Sequence, residues 1–167
     1  MYTNNKVGNV IYKVIEYFGD DVRRINHFLK VYGYAKMICE CENLDDSMQE
    51  ILEVTAVLHD VGIKVAEQKY NSSAGHYQQL EGPPVAKKIL DELGYPDDFV
   101  ERVMYLIAHH HTYTNIDGMD YQILVEADFL VNADEDRLSS DAIENFKEKI
   151  FKTTTGIAVL ENNYLNL

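Results

Sequence analysis

Four ionisable side chains, spread over three stretches of the sequence, have the types and settings of metal ligands. His59 and Asp60 are adjacent and end an apolar run. Asp128 interrupts the apolar segment 123–131, where an aspartate must be solvated, paired or metal-bound if the segment is buried. His27 lies on the apolar side of an early segment, and taken alone it is explained as well by a hydrogen bond in the core. Together, two imidazoles and two carboxylates suit a divalent ion with nitrogen and oxygen ligands.

The position of the His59-Asp60 pair on its helix also favours a cation. The pattern of residues 47–60 predicts a helix with the pair on its last turn, and Gly62 lies where helices are commonly closed. Unpaired carbonyls give this end partial negative charge, which attracts a positive ion. Lys64 follows and is a candidate for holding an anionic substrate group.

Three of the six histidines are consecutive, at residues 109–111, and they close a predicted helix over 97–111. Successive residues on a helix point in different directions, so at least one of the three faces solvent. We predict that His110, and after it His109, face inward. His76 lies in a polar stretch where a histidine is ordinarily exposed, and it ranks below them.

The segments that must position these residues are helical by pattern. Apolar residues recur at spacings of three and four, and alternating strand patterns are absent. Residues 64–82 are polar and turn-prone, which predicts a loop, and Pro83-Pro84 fit the first turn of the helix after it. The expected fold is an all-α bundle of six to eight helices. The predicted helices are 5–18, 20–41, 47–60, 83–93, 97–111, 121–133 and 141–152, with a short one after Gly156.

Composition limits the class of protein. The 167 residues, 46% hydrophobic and 26% charged, are expected to form one folded domain over 1–167. The chain has 15 Lys and Arg residues against 28 Asp and Glu residues, a net charge of −13. No basic run is long enough to follow a phosphate backbone. We therefore expect no polymeric nucleic acid as a partner. No apolar stretch is long enough to cross a bilayer and residues 1–6 begin no signal peptide, so we expect no membrane association and a cytoplasmic location.

In their order and context, the four candidate ligands resemble the signature of the HD-domain metal-dependent phosphohydrolase superfamily. Its members carry a histidine on an early helix, a His-Asp pair closing a later helix and an aspartate on a still later buried helix. Here these are His27, His59-Asp60 and Asp128, and the resemblance covers residues 26–132. The ordered set is specific for the fold and the metal, and much less so for the substrate.

The resemblance implies a compact single-domain helical bundle with a motif core at 26–132, on which helices 5–18 and 141–167 pack. It implies one or two divalent ions (Mn, Fe, Mg, Co, Ni or Zn) and hydrolysis of a phosphate mono- or diester of a small molecule, most simply a nucleotide. A metal-activated water would be the nucleophile. Two other interpretations stay open: a non-catalytic module that binds metal and nucleotide, and a di-iron oxygenase. The oligomeric state is open as well.

The resemblance also assigns roles near the His-Asp pair. Asp60 would be catalytic as well as a ligand. Many members have a lysine three residues after the aspartate and some single-metal members a glutamate, whereas this chain has Ile63 there, with Lys64 next. Glu67 or Glu81 could replace the glutamate.

Further roles follow from regions that match members with two metals. There, His76 and one or both of His109 and His110 would hold a second ion. The stretches 71–81 and 112–120 would face the substrate. The candidate substrate-binding residues are Tyr77, Gln78 and, one turn after Asp128, Asn132.

Overall fold

The computed structural model describes residues 6–165, and within them it has nine α-helices, one π-helical turn and no β-strand. The all-α prediction is confirmed, with one helix more than expected. The predicted ends at residues 1–5, 166 and 167 lie outside the described residues. The helices are α1 Lys6–Phe18, α2 Val22–Cys41, α3 Asp46–Leu58, α4 Gly62–Tyr70, α5 Gly75–Glu92, α6 Asp97–His109, α7 Met119–Glu135, α8 Ser140–Ile150 and α9 Thr154–Leu160, followed by the π-helical turn Glu161–Leu165.

Helix α7 is the central element, as its apolar sequence predicts. Every residue in 120–131 is buried, and the helix packs against α2 and α3. One apolar core surrounds α7 and a second fills the space among α1, α3, α5 and α6. Leu52 and Ala56 of α3 belong to the first core and Val54, Val57 and Leu58 to the second, so the C-terminal half of α3 lies between the two cores. Across residues 6–165 no helix has the length and apolarity needed to cross a membrane.

The two acidic residues in the middle of α7 have different surroundings. Glu126 is fully buried and accepts hydrogen bonds from the backbone N–H groups of Lys152 (2.7 Å) and Thr153 (3.0 Å) and from the Gln122 amide (2.7 Å). These bonds compensate the desolvation of its carboxylate and attach the chain before α9 to α7. Asp128 instead faces α2 and the end of α3.

The loop predicted at 64–82 is wrong, because most of it is helical. Helices α4 and α5 occupy it, joined by residues 71–74, and Pro83-Pro84 lie inside α5 rather than in its first turn. Helix α4 buries Gly62, Ile63 and Ala66, and the first half of α5 buries Gln78, Glu81 and Gly82. With a single large apolar residue buried, these segments lack the apolar stripe that reveals a helix in sequence. Packing of α5 against α4 and α6, rather than local propensity, stabilises this hairpin.

Candidate metal centre

Polar atoms of His27, His59, Asp60 and Asp128 converge between α2, the end of α3 and α7. The two Nε2 atoms are 3.3 Å apart. Asp60 Oδ2 lies 3.3 Å from Nε2 of His27 and 3.4 Å from that of His59, and Asp128 Oδ1 lies 3.3 and 3.5 Å from the same atoms. Two ligands of one ion, each bonded at roughly 2.0–2.2 Å, cannot be further apart than about twice that length. All five separations satisfy this limit. The ligand atoms of His27, His59 and Asp60 form a trio within 4.8 Å of one another, and Asp128 adjoins this trio through the two histidines.

Hydrogen bonds on the far side of the ring direct the lone pairs of His59 and His110 toward the carboxylate of Asp60. His59 follows the last residue of α3, and His110 follows the last residue of α6. Each Nδ1 is 2.7 Å from the carbonyl three residues earlier, that of Ala56 or Ile107. A carbonyl can only accept, so in the neutral rings Nδ1 carries the proton and Nε2 keeps the lone pair. The rings are therefore in the tautomer of a metal ligand coordinating through Nε2.

The electrostatics of the cluster favour a cation at its centre. Burial disfavours charge on His59, but Asp60 and Asp128 outweigh burial and raise the pKa of His59 to about 9. Burial also opposes ionisation of the two carboxyl groups, yet the surrounding histidines hold the pKa of both below the usual value. The cluster thus attracts positive charge as protons or as a metal ion, and its donor set fits a divalent ion.

A second trio shares Asp60. Ligand atoms of Asp60, His110 and His111 lie within 4.8 Å of one another. Asp60 Oδ1 is 3.6 Å from Nε2 of His110, and that buried nitrogen has no hydrogen-bond partner in the described part of the chain. Burial and the neighbouring His110 lower the pKa of His111 to about 4, so this imidazole is neutral at pH 7. With one oxygen toward each group, Asp60 is placed to bridge two ions.

His110 lies where the sequence predicts, whereas the structure places neither His109 nor His76 in a ligand group. His109 donates to the Tyr105 carbonyl at 2.7 Å on its own helix, and exposed His76 lies against the Tyr77 ring. His111 joins the trio instead. The reason is that α6 ends at His109, so the helical spacing that would turn His111 away no longer applies beyond it.

A cavity of about 480 Å³ adjoins the cluster, and His27, Asp60 and Asp128 form part of its wall. The basic side chains that line the cavity are Arg23 and Arg24, one turn before His27 on α2. Neither arginine was identified from the sequence. Arg24 is bound to Asp21 (2.8 Å) and to Glu67 (2.6 Å). Arg23 is exposed, and within residues 6–165 it has no recorded ion pair.

Lys64 does not line this cavity. Its amine donates to the Tyr17 carbonyl at 2.8 Å and lies over the Tyr17 ring, so it contacts α1. Because α4 begins at Gly62, Ile63 and Glu67, four residues apart, occupy the face toward the cavity and Lys64 is rotated away from it. The structure therefore places Lys64 away from the cavity, on the side of α4 that contacts α1.

Glu81 and Tyr77 are also outside the cavity. Glu81 accepts hydrogen bonds from Lys69 (2.8 Å) and the Tyr70 hydroxyl (2.7 Å), and it lines a separate groove between α1, α4 and α5. Tyr77 stacks on Tyr70, with ring centroids 4.1 Å apart. Neither contacts the metal cluster, because α4 provides their partners. Of the two candidate glutamates, Glu67 is the one at the cavity.

Gln78 and Asn132 do line the cavity. Gln78 is buried, and its Oε1 is 3.1 Å from Nε2 of His111. Asn132 donates to Asp128 Oδ1 at 3.0 Å and so helps to orient a candidate ligand.

Glu135, which sequence reasoning missed, lies in the same wall and accepts from Nδ1 of His27 at 2.8 Å. Glu135 follows Asp128 by seven residues, which is two helical turns. This spacing indicates from the sequence that both residues lie on the same face of α7.

Comparisons with known proteins identify a family and a similar fold. A family model described as HD domain matches residues 24–144, which include all four residues of the first cluster. The crystal structure of a predicted HD superfamily hydrolase from an uncultured Thermotogales bacterium is similar in fold, with a TM-score of 0.65 and 23% sequence identity over 97% of this chain and 85% of that chain. Among curated proteins the comparison gave no match.

Proposed function

Because the chain belongs to the HD-domain family, we propose that it is a metal-dependent phosphohydrolase that cleaves a phosphate mono- or diester of a small molecule, foremost a nucleotide. The observation that carries this proposal is the convergence of His27, His59, Asp60 and Asp128 beside a cavity with two arginines. A cavity of about 480 Å³ is within the usual range for small-molecule sites.

The chain's own groups provide ligands, orientation and charge. His27, His59, Asp60 and Asp128 would hold the first ion, and Asp60, His110 and His111 would hold a second. A divalent ion bound there supplies polarisation of a phosphoryl oxygen and a water of lowered pKa. Asn132 holds Asp128 Oδ1 in place from one turn further along α7. Gln78 holds the His111 ring from α5.

Metal analysis and a substrate panel test the proposal. The full chain is purified, its metal content is measured, and it is loaded in turn with Mn²⁺, Mg²⁺, Fe²⁺, Co²⁺, Ni²⁺ or Zn²⁺ before assay against nucleotides and cyclic nucleotides. We expect one or two ions per chain and turnover of at least one phosphate ester, lost in Asp60→Ala. If no phosphate ester is turned over by metal-loaded protein, the proposal is wrong.

We expect Arg23 to bind the substrate phosphate. Arg23 is exposed and lines the cavity, and a guanidinium can form charge-assisted hydrogen bonds with phosphate, each contributing about 1.5–3 kcal/mol. Partial exposure reduces that figure, so Arg23→Ala should raise KM roughly tenfold, with a smaller change in kcat. Lys64→Met is the matched comparison: it removes a cation that contacts α1, and KM should stay within error of the unaltered protein. The reverse result would restore Lys64 as the phosphate-binding residue.

A non-catalytic metal- and nucleotide-binding module is the second candidate. Ile63 occupies the position where related sites carry a glutamate or lysine, and the carboxylate of Glu67 already binds Arg24. Tight nucleotide binding by calorimetry, with no product after long incubation, would favour this module. A di-iron oxygenase is a third candidate because Asp60 could bridge two ions, and a stoichiometry of one metal per chain would exclude it.

A further inference from the structure

Among the three buried histidines of the metal centre, His27 differs in the partner of its Nδ1. His59 and His110 donate to main-chain carbonyls of their own helices. His27 lies inside α2, where the carbonyls already accept hydrogen bonds from the helix itself. Its Nδ1 therefore needs an acceptor from another element, and Glu135 of α7 supplies it at 2.8 Å.

The carboxylate of Glu135 is held from both sides. Oε2 accepts from His27, and Oε1 accepts from Lys30 Nζ at 3.0 Å. Lys30 is one turn after His27 on α2, and Glu135 is two turns after Asp128 on α7. Helices α2 and α7 thus each contribute one ligand and one member of an ion pair that lies next to the ligands.

We propose that Glu135 is a positioning residue for the metal centre, one that fixes the tautomer and the ring orientation of His27. Oε2 of Glu135 contacts Nδ1 of His27, whereas Nε2 is the nitrogen that faces the other ligands. Glu135 therefore acts through the histidine rather than on the ion. A carboxylate on the distal nitrogen of a ligating histidine also makes that ligand more basic, and losing such a partner typically weakens metal binding 10–100-fold. This inference depends on the metal-binding part of the proposed function and not on its phosphate chemistry.

A purely structural explanation gives a different expectation. If Glu135 and Lys30 formed only a partly exposed ion pair between α2 and α7, the pair would add little to the stability of the fold. Removing Glu135 and removing Lys30 would then have equal effects. As a positioning residue, Glu135 matters more than Lys30, because Lys30 contacts only the carboxylate oxygen that faces away from His27.

Competition between the full-length protein and a chromophoric chelator for Co²⁺ or Mn²⁺ tests the proposal. Glu135→Ala should bind the ion about 10–100-fold more weakly. Glu135→Gln keeps an oxygen acceptor for Nδ1 and should recover part of that loss. Lys30→Met should lose less than Glu135→Ala. Asp136→Asn is the charge control, since it removes one negative charge from the same cavity wall and has no recorded contact with His27.

Two further measurements separate orientation from folding. Thermal unfolding of the metal-free variants identifies any that fail to fold. The visible spectrum of bound Co²⁺ reports ligand geometry, and it should change in Glu135→Ala and remain unchanged in Asp136→Asn. If Glu135→Ala binds Co²⁺ as tightly as Asp136→Asn and gives the same spectrum, the proposal is overturned. An inactive but metal-binding protein would contradict the hydrolase function and leave this inference intact.

Discussion

Asp128→Asn is expected to empty the metal centre and abolish hydrolysis. The side chain is 7% exposed, and its Oδ1 contacts both His27 and His59. Asparagine has the same shape, so the change removes negative charge without creating a cavity. Losing a residue that is hydrogen-bonded to a metal ligand typically weakens metal binding about 10–100-fold. Removing the charge of a ligand itself should weaken metal binding more than about a hundredfold. Metal content after dialysis, and activity, check this expectation.

The same substitution should remove the stabilisation that the metal provides. An ion that binds only the folded state adds about 2.7 kcal/mol at a concentration of 100 Kd. We therefore expect added metal to raise the Tm of the unaltered protein but not of Asp128→Asn or His59→Ala, so that both variants melt lower in metal. Asp120→Asn is the control: Asp120 is also buried on α7, but it pairs with Arg102. Its metal-dependent rise in Tm should persist. Unchanged metal content in both site variants would show that the centre lies elsewhere.

Gly62→Ala is expected to destabilise the fold severely. A Cβ on Gly62 would lie 2.6 Å from the Gln78 carbonyl oxygen, 2.6 Å from the Gly82 nitrogen and 2.9 Å from the Gly82 Cα. All three are main-chain atoms of α5 and cannot rotate away, so α4 and α5 must separate. Overpacking costs about 1–3 kcal/mol, occasionally more, and we expect about 3 kcal/mol or more here. Because Asp60 is two residues away, metal affinity should fall as well.

Urea unfolding measures this effect, with Gly33→Ala as the matched control. Gly33 is an exposed residue within α2, and a Cβ there would meet nothing within 4 Å. Alanine at that position should stabilise the protein by about 0.5–1 kcal/mol. A Gly62→Ala variant as stable as the unaltered protein would show that α4 and α5 are not packed this closely.

Much of the fold could be predicted because most of its helices have an apolar stripe that is visible in the local sequence. Apolar stripes at helical spacing indicated α1, α2, α3, α6 and α7, and the unbroken apolar run of α7 indicated its central burial. The same periodicity failed at α4 and the first half of α5. Apart from Ile63, their buried sides are formed by glycine, alanine and polar side chains, so contact with neighbouring helices rather than an apolar stripe stabilises them.

The candidate ligands His27, His59, Asp60 and Asp128 could be identified from the sequence, because ionisable residues in apolar surroundings need a partner wherever the chain folds. Which other groups face the cavity depends on how the helices pack. One residue along a helix rotates a side chain by about 100°, so the start of α4 and the end of α6 turn Lys64 away and admit His111. The spacing from Asp128 indicates the face of α7 on which Glu135 lies, but the contact of Glu135 with His27 and the position of the two arginines at the cavity depend on the packing of α2 against α7.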